Sequence, residues 1–521
     1  MSSPSAERPR VMRSVLSRLT TPGPLLALGL GVTTVAASLW FATANRALTS
    51  HSAVTLYSFY FLVGTIGTGV LAGLEQEMTR TVARTHAAGR PVGAAVRGQL
   101  RQAAGLAVLT VLILSAASPL LVSHWFAGDW TLALALLAGL AATWASFLVR
   151  GVLAGCQDFR YYSLTLVVQG VATIAPSVVL ALAGPGHMLG YALIFALAPL
   201  VAAVSGLASP ALRRSWRATG TAADIPAGAA ALSEESIAAG DGAGAQPTSA
   251  TPDTPGAPVA ADTGEESGEE PGGSPREKLL LLTLATLVSQ LLINAVPLVI
   301  AHRLAGGDAH SVDLGKSLSS SMGFSRLALL CLFPLQAPLL PLLAAAAVRG
   351  DFREVRRKTG FLVTACLVAG ALGVVAVVAA GPWLLTDYLH APAQLSHLFL
   401  SALALSTAFL MTAFVLQSAQ VALNRHRVVF ASWLAGLAAM ALVFALPVSP
   451  LAAAGWAGIL GPLVVTLIAG ADVMFVTRAQ PTVTASADGA ADAVPVPVAE
   501  AAAGESRSTG QAAPVAEGVR R

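Results

Sequence analysis

The apolar positions of this chain fall in long runs with few polar interruptions. They follow neither the alternation of a half-buried strand nor the single stripe of a surface helix. Twelve runs cover residues 24–44, 53–74, 103–123, 130–153, 163–184, 187–208, 279–301, 318–346, 360–382, 397–422, 428–447 and 452–475. A helix crossing a bilayer core needs about 20 apolar residues, and every run has that length. The pattern predicts an all-α, polytopic membrane protein with 12 transmembrane helices.

The interruptions organise the chain. Residues 1–23 form a basic N-terminal segment; the run behind it is long enough to span, so it reads as retained rather than as a cleaved signal peptide. Residues 210–277, between the sixth and seventh runs, are rich in Ala, Gly, Pro, Ser and acid and have no period, the composition of a disordered linker. The tail 477–521 is similar. Two halves of six helices, 24–209 and 278–476, are expected on either side of the linker.

Composition agrees: 55% of the 521 residues are hydrophobic and 11% charged, with a mean hydropathy of +0.70. A soluble domain carries about 25% charge. The pI of about 9.2 calls for a topological explanation before a nucleic-acid one. With the N-terminus inside and twelve spans threaded, 27 of the 31 Lys and Arg residues fall on the cytoplasmic side, as the positive-inside rule requires. Arg46, Arg303 and Lys316 fall outside, and Arg326 lies inside a span. The protein is therefore expected in the cell membrane with both termini cytoplasmic. Seven of the nine histidines (51, 124, 187, 302, 310, 390 and 397) fall outside, where loop exposure explains them more simply than pH sensing.

The halves echo one another. "GVLAGCQDFRYYSLTLVVQG" after the fourth run resembles "QSAQVALNRHRVVFASWLAG" after the tenth, with Arg160 and Arg427 aligned at an offset of 267. Parallel halves related by an axis along the membrane normal fit, because six spans return the chain to the same side.

An ionisable residue within a span is costly and is a functional candidate by default. Arg326, about 13 Å along the eighth helix at 1.5 Å per residue, is a candidate cation for an anionic substrate such as a phosphate; pairing with helix carbonyls is the plainer alternative. Gln290 and Asn294 share one face of the seventh helix. With Gln336 they are candidate cavity amides, and equally candidate helix-to-helix bonds. Pro176, Pro199, Pro297, Pro334, Pro338 and Pro341 sit within spans and suit either bending or ordinary packing. Where the second run ends, "LAGLEQEMTRTVAR" gathers Glu75, Gln76, Glu77 and Arg80. A solvated helix end with a Glu77–Arg80 pair is one reading of this cluster. No carboxylate sits at the middle of a span, so direct carboxylate coupling to a proton or sodium ion is not supported.

No Walker loop, metal-ligand spacing or Gly-x-Ser-x-Gly is found, and Cys156, Cys331 and Cys366 are scattered. The chain does not read as an enzyme. No cofactor, metal or nucleic acid is expected.

At "GVLAGLEQEMTRTVAR", "GVLAGCQDFRYYS" and "SRLALLCLFPLQAPLLPLLAAAA" the chain resembles the polysaccharide-export flippases of the multidrug/oligosaccharidyl-lipid/polysaccharide superfamily, and most closely the actinobacterial polysaccharide biosynthesis proteins. The resemblance covers 22–209 and 278–476. It implies two six-helix lobes around a central cavity and alternating access. It implies a lipid-linked saccharide as substrate, with membrane lipids and a polysaccharide polymerase or glycosyltransferases as partners, and a monomer. Carried over, Arg326 is the cavity cation; Glu75, Gln76, Glu77 and Arg80 form an inner gate whose charges pair across the lobes. The first span lacks the carboxylate of the cation-antiporting members, and one intramembrane arginine with twelve spans departs from the lipid II flippases. A small-molecule drug or cation transporter, and a non-transporting cell-envelope scaffold, are the competing expectations.

Overall fold

The computed structural model describes residues 22–87, 92–210, 212–213, 275–330, 343, 346–347 and 349–479. The first 21 residues, nearly all of the linker, the tail beyond 479, Gln336, Pro334, Pro338, Pro341 and Cys331 lie outside the described residues.

Twelve long helices follow in order among the described residues: α1 Pro22–Ala47, α2 Ser50–Ala87, α3 Val92–His124, α4 Trp130–Gly155, α5 Phe159–Ala183, α6 Met188–Gly206, α7 Pro275–Ala305, α8 Ala309–Ser325, α9 Phe352–Trp383, α10 His397–Ala422, α11 His426–Ala445 and α12 Pro450–Ala479. Eleven of them are long and apolar enough to cross a membrane. The remaining one, α8, has 17 residues. It breaks at Arg326, resumes as a single turn at Leu327–Leu330, and leads into residues outside the description. The chain is a multi-pass membrane protein. Its apolar exterior agrees: along α3 and α9 most side chains face outward, including Leu112, Leu120, Leu372 and Val375.

Helix starts are set by short polar side chains. Asp129, Asp308, Asp351 and Ser396 lie just before α4, α8, α9 and α10 and accept a hydrogen bond from the first turn, at 2.8, 3.0, 2.9 and 3.2 Å. Each satisfies one of the amides that a helix start leaves without an intrahelical partner.

The halves repeat in three dimensions. Between α4 and α5, the amides of Cys156, Gln157 and Asp158 bond the carbonyls of Val152, Ala154 and Leu153. Between α10 and α11, Leu423, Asn424 and Arg425 bond Ala419, Val421 and Gln420 in the same pattern. Gln157 and Asn424 both take a left-handed conformation, φ 57° and 58°. The turns α3–α4 and α9–α10 match likewise: Phe126 and Gly128 bond Leu121 and Val122, as Leu389 and Ala391 bond Leu384 and Leu385. Ala127 and His390 both have φ 50°.

In the first half α1 packs on α5, α2 on α4, and α6 on α4 and α5; in the second α9 packs on α10, and α12 on α10 and α11. The halves meet where α2 lies against α7 and α8, and where α1 lies against α8. Small residues allow the close approach: Gly69 on α2 sits where a Cβ would be 3.0 Å from Leu287 of α7.

Candidate functional site

Helix α8 carries one face toward the first half. Gly315 lies beside Val54, Lys316 bonds the end of α1, Gly323 lies under the ring of Phe41, and Arg326 faces Tyr60. Lys316, Gly323 and Arg326 are seven and three residues apart, the spacing of one side of a helix. Glycine is required at 323, because any Cβ there would enter the Phe41 ring.

Arg326 stands where α8 breaks. Its amide bonds the Met322 carbonyl at 3.3 Å, and its carbonyl accepts from Leu329 at 3.0 Å. Its Nη1 is enclosed and has no hydrogen-bond partner among the described residues. An enclosed guanidinium donor without an acceptor is costly, and an anion supplied from outside would satisfy it. The wall it faces is aromatic. Tyr60 lies 4.8 Å from Phe195, 4.9 Å from Phe41 and 5.5 Å from Trp40 between ring centroids. Between α8, α9 and α10 an apolar cavity of about 350 Å³ is lined by Phe324, Ala328, Gly373, Val377, Leu403 and Ala404 among others.

Two of the three candidate cavity amides are described. Gln290 and Asn294 are buried on α7, at the seam with α2. Asn294 Nδ2 donates to the Gln290 carbonyl at 3.0 Å, so it serves its own helix.

The cluster on α2 makes its described contacts within the first half. The inner gate was expected to hold pairs across the halves, and such pairs are not found among the described residues. Glu75 accepts from the Tyr162 hydroxyl of α5 at 2.8 Å, with the Arg150 guanidinium of α4 close enough to interact with the carboxylate. All three belong to the first half. Glu77, half-buried, lies 3.7 Å from the exposed Arg80 one turn away. The side chain of Gln76 is outside the described residues.

Two cations were misplaced by the count of basic residues. Arg150 reads as a loop residue, yet it is buried near the end of α4. Its Nε donates to Thr165 at 3.1 Å and its Nη2 to Gln169 at 2.6 Å. Arg326 is therefore not the sole arginine within the bundle. The unbroken apolar flanks in "SFLVRGVLAG" were the signal for it. Lys316 reads as outside the membrane because the eighth apolar run begins at 318. The helix begins at Ala309, and Lys316 is buried in it. Asp472 near the end of α12 is paired too, with Arg425 at 2.8 Å and Gln420 at 3.1 Å.

No protein-family model and no curated protein matches the sequence. Solved structures do match the fold. An inward-facing multidrug resistance MATE family transporter of the MOP superfamily superposes with a TM-score of 0.59 at 13% identity, over 87% of this chain and 96% of that one. The fold is that of the MATE transporters. An outward-facing MATE transporter matches at TM-score 0.53 and 15% identity, over 88% of this chain and 96% of that one. A MOP superfamily transporter from Pyrococcus furiosus matches at 0.56 and 16%, over 88% and 95%. In the MATE fold of this chain, α1–α6 and α7–α12 are the two six-helix lobes. Arg326 lies on the α8 face that the second lobe presents to the first.

Proposed function

We propose that this chain is a transporter that moves a lipid-linked saccharide precursor across the cell membrane by alternating access, with both termini cytoplasmic. The observation that carries the reading is Arg326: an enclosed guanidinium donor without a hydrogen-bond partner among the described residues, between two lobes and facing the aromatic wall of Tyr60, Trp40, Phe41 and Phe195. A guanidinium recognises a phosphate oxygen by charge and direction. Tyr60 and Phe195, the half-buried rings of that wall, offer an apolar surface beside it, with Trp40 and Phe41 buried behind them. Together they suit a substrate with an anionic linkage and a bulky polar part.

The fold supports alternating access, since MATE transporters are known in inward-facing and outward-facing forms. A cation at the lobe interface sets this chain apart from carriers of cationic drugs. The Pyrococcus relative is itself described as having a binding pocket of reverse polarity that suggests a different function. Extrusion of small molecules is the second reading, favoured by the multidrug transporters among the structural neighbours. Gln290 and Asn294, at the lobe seam, stay in the proposal as cavity residues, together with Gln336. Polymerases and glycosyltransferases of the same pathway are the proposed partners.

The test is surface polysaccharide in a deletion strain complemented with wild type or with Arg326→Ala at matched membrane levels. The expected result is loss of polysaccharide with intracellular lipid-linked precursor, restored by wild type and not by the variant. Normal polysaccharide and precursor in the deletion strain would overturn the reading, and altered drug resistance in the same strain would favour extrusion.

A further inference from the structure

The lobes are tied at one end by contacts that involve few residues and much buried polarity. Lys316 of α8 is 5% exposed. Its ammonium donates to the carbonyls of Asn45 and Leu48, each at 2.9 Å. Those carbonyls belong to the last turn of α1 and the residue after it, in the other lobe. Beside it the Ser50 hydroxyl of α2 donates to Asp313 of α8. Across the same end, His302 after the apolar part of α7 lies against His124 of α3, with its Nδ1 3.0 Å from the His124 carbonyl. The basic-residue asymmetry places this end outside.

The chemistry of the Lys316 contact is specific. A helix C-terminus leaves carbonyls without intrahelical partners and carries a partial negative charge. An ammonium seated there satisfies those carbonyls and meets the helix dipole. No carboxylate lies within salt-bridge distance of Lys316 among the described residues, so the cation is held by neutral acceptors. Water supplies acceptors of the same kind once the site is opened. Such a contact therefore resists separation without locking it, unlike a buried ion pair, whose separation strands two charges.

We propose that Lys316 is the latch of the outer gate. Its ammonium, engaged on the end of α1, holds the outer ends of the lobes together, and it leaves that seat when they swing apart. The proposal rests on the alternating-access reading and assigns the residue that regulates it. It does not depend on the cargo, because Arg326 lies three turns further along the same face.

The test is a distance measurement by double electron–electron resonance on the full chain in lipid nanodiscs. Nitroxides are placed at His187 and Ser449, exposed residues in the α5–α6 and α11–α12 connections of the two lobes, after the three native cysteines are replaced by serine. Wild type is expected to show a short and a long separation, with the short one dominant. Lys316→Met removes the charge and the donors at similar volume, and should raise the long-to-short ratio roughly tenfold or more. Lys316→Arg, which keeps charge and donors, should stay near wild type. Lys316→Gln, which keeps donors without charge, should fall between, and it carries the test if the Met variant does not fold.

A ratio unchanged in the Met and Gln variants, with a two-state wild type, would overturn the latch alone. A wild type with one separation under every condition would overturn alternating access itself. The two failures are thus distinct.

Discussion

Removing the Arg150 guanidinium should destabilise the first lobe, and removing Glu75 with it should restore much of the loss. Arg150 donates to Thr165 at 3.1 Å and to Gln169 at 2.6 Å, and its charge lies near the Glu75 carboxylate, which Tyr162 holds at 2.8 Å. Glu75 belongs to α2 and Thr165, Gln169 and Tyr162 to α5, so the Arg150 side chain of α4 joins a cluster of three helices. Arg150→Met is nearly isosteric for the stem but strands a carboxylate in a poorly solvated site. Breaking a buried contact ion pair by removing one partner costs about 3–5 kcal/mol, and the Arg150 and Glu75 charges attract without forming such a contact, so the lower end applies. Glu75 is partly open, so a value of about 3 kcal/mol is expected. Glu75→Gln keeps an acceptor for Tyr162 and should cost less, about 1–2 kcal/mol. Once neither charge remains, Arg150→Met/Glu75→Gln should cost less than the sum of the singles by about 1–3 kcal/mol. The assay is thermal unfolding of the four proteins in one detergent at one scan rate, followed by tryptophan fluorescence, because membrane-protein melting is commonly rate-dependent. Additivity of the two shifts within error would refute the coupling, and would leave Arg150 as a hydrogen-bond donor to α5 alone.

Two glycines of contrasting environment make a second pair. At Gly155 a Cβ would lie 2.5 Å from Val82 Cβ and 2.9 Å from the Thr79 carbonyl, so Gly155→Leu should separate α4 from α2 at a cost of about 1–3 kcal/mol or more. Gly105 in α3 has nothing within 4 Å, so Gly105→Ala should be neutral or stabilising by up to about 1 kcal/mol through helix propensity; equal melting temperatures for the two variants would refute the packing argument. At the start of α8, hydrogen bonds from the Ser311 side chain and from its backbone amide hold Asp308 below the usual carboxylate range. A carboxyl depressed on folding stabilises above its unfolded value, and that contribution is lost as the pH falls through the folded one. Hydrogen exchange at the first amides of α8 should therefore be protected near neutrality and faster below the aspartate range, after correction for intrinsic rates, and it should not change with pH in Asp308→Ala.

Much of the architecture is legible from local properties. A transmembrane helix must satisfy its own backbone and show lipid an apolar surface, so length and apolarity of each run are enough to announce it. The runs at 130–153 and 397–422 correspond to α4 and α10 with shifts of no more than two residues at either end. The repeat was visible as a faint echo, and the paired left-handed residues Gln157 and Asn424 show the shared turn behind it. The cap residues Asp129, Asp308 and Asp351 are equally local. Arg326 was legible because a lone arginine in an apolar run is costly wherever it faces.

The partners of the polar side chains were decided by tertiary packing. Glu75 sits at the edge of an apolar run, and its distance from Tyr162 depends on how α2 lies against α4 and α5. No property of "LEQEMTR" fixes that. Lys316 reads as exposed because the serines that follow it blur where the helix starts, while its burial depends on the end of α1, which lies 271 positions away in the sequence. Arg150 was hidden among loop cations because a count of basic residues registers side and not depth. In a membrane protein hydropathy decides which segments enter the bilayer, since transfer free energy is a sum over one helix at a time. Which buried charge meets which acceptor is a property of helix pairs, and it exists only once the two lobes have assembled.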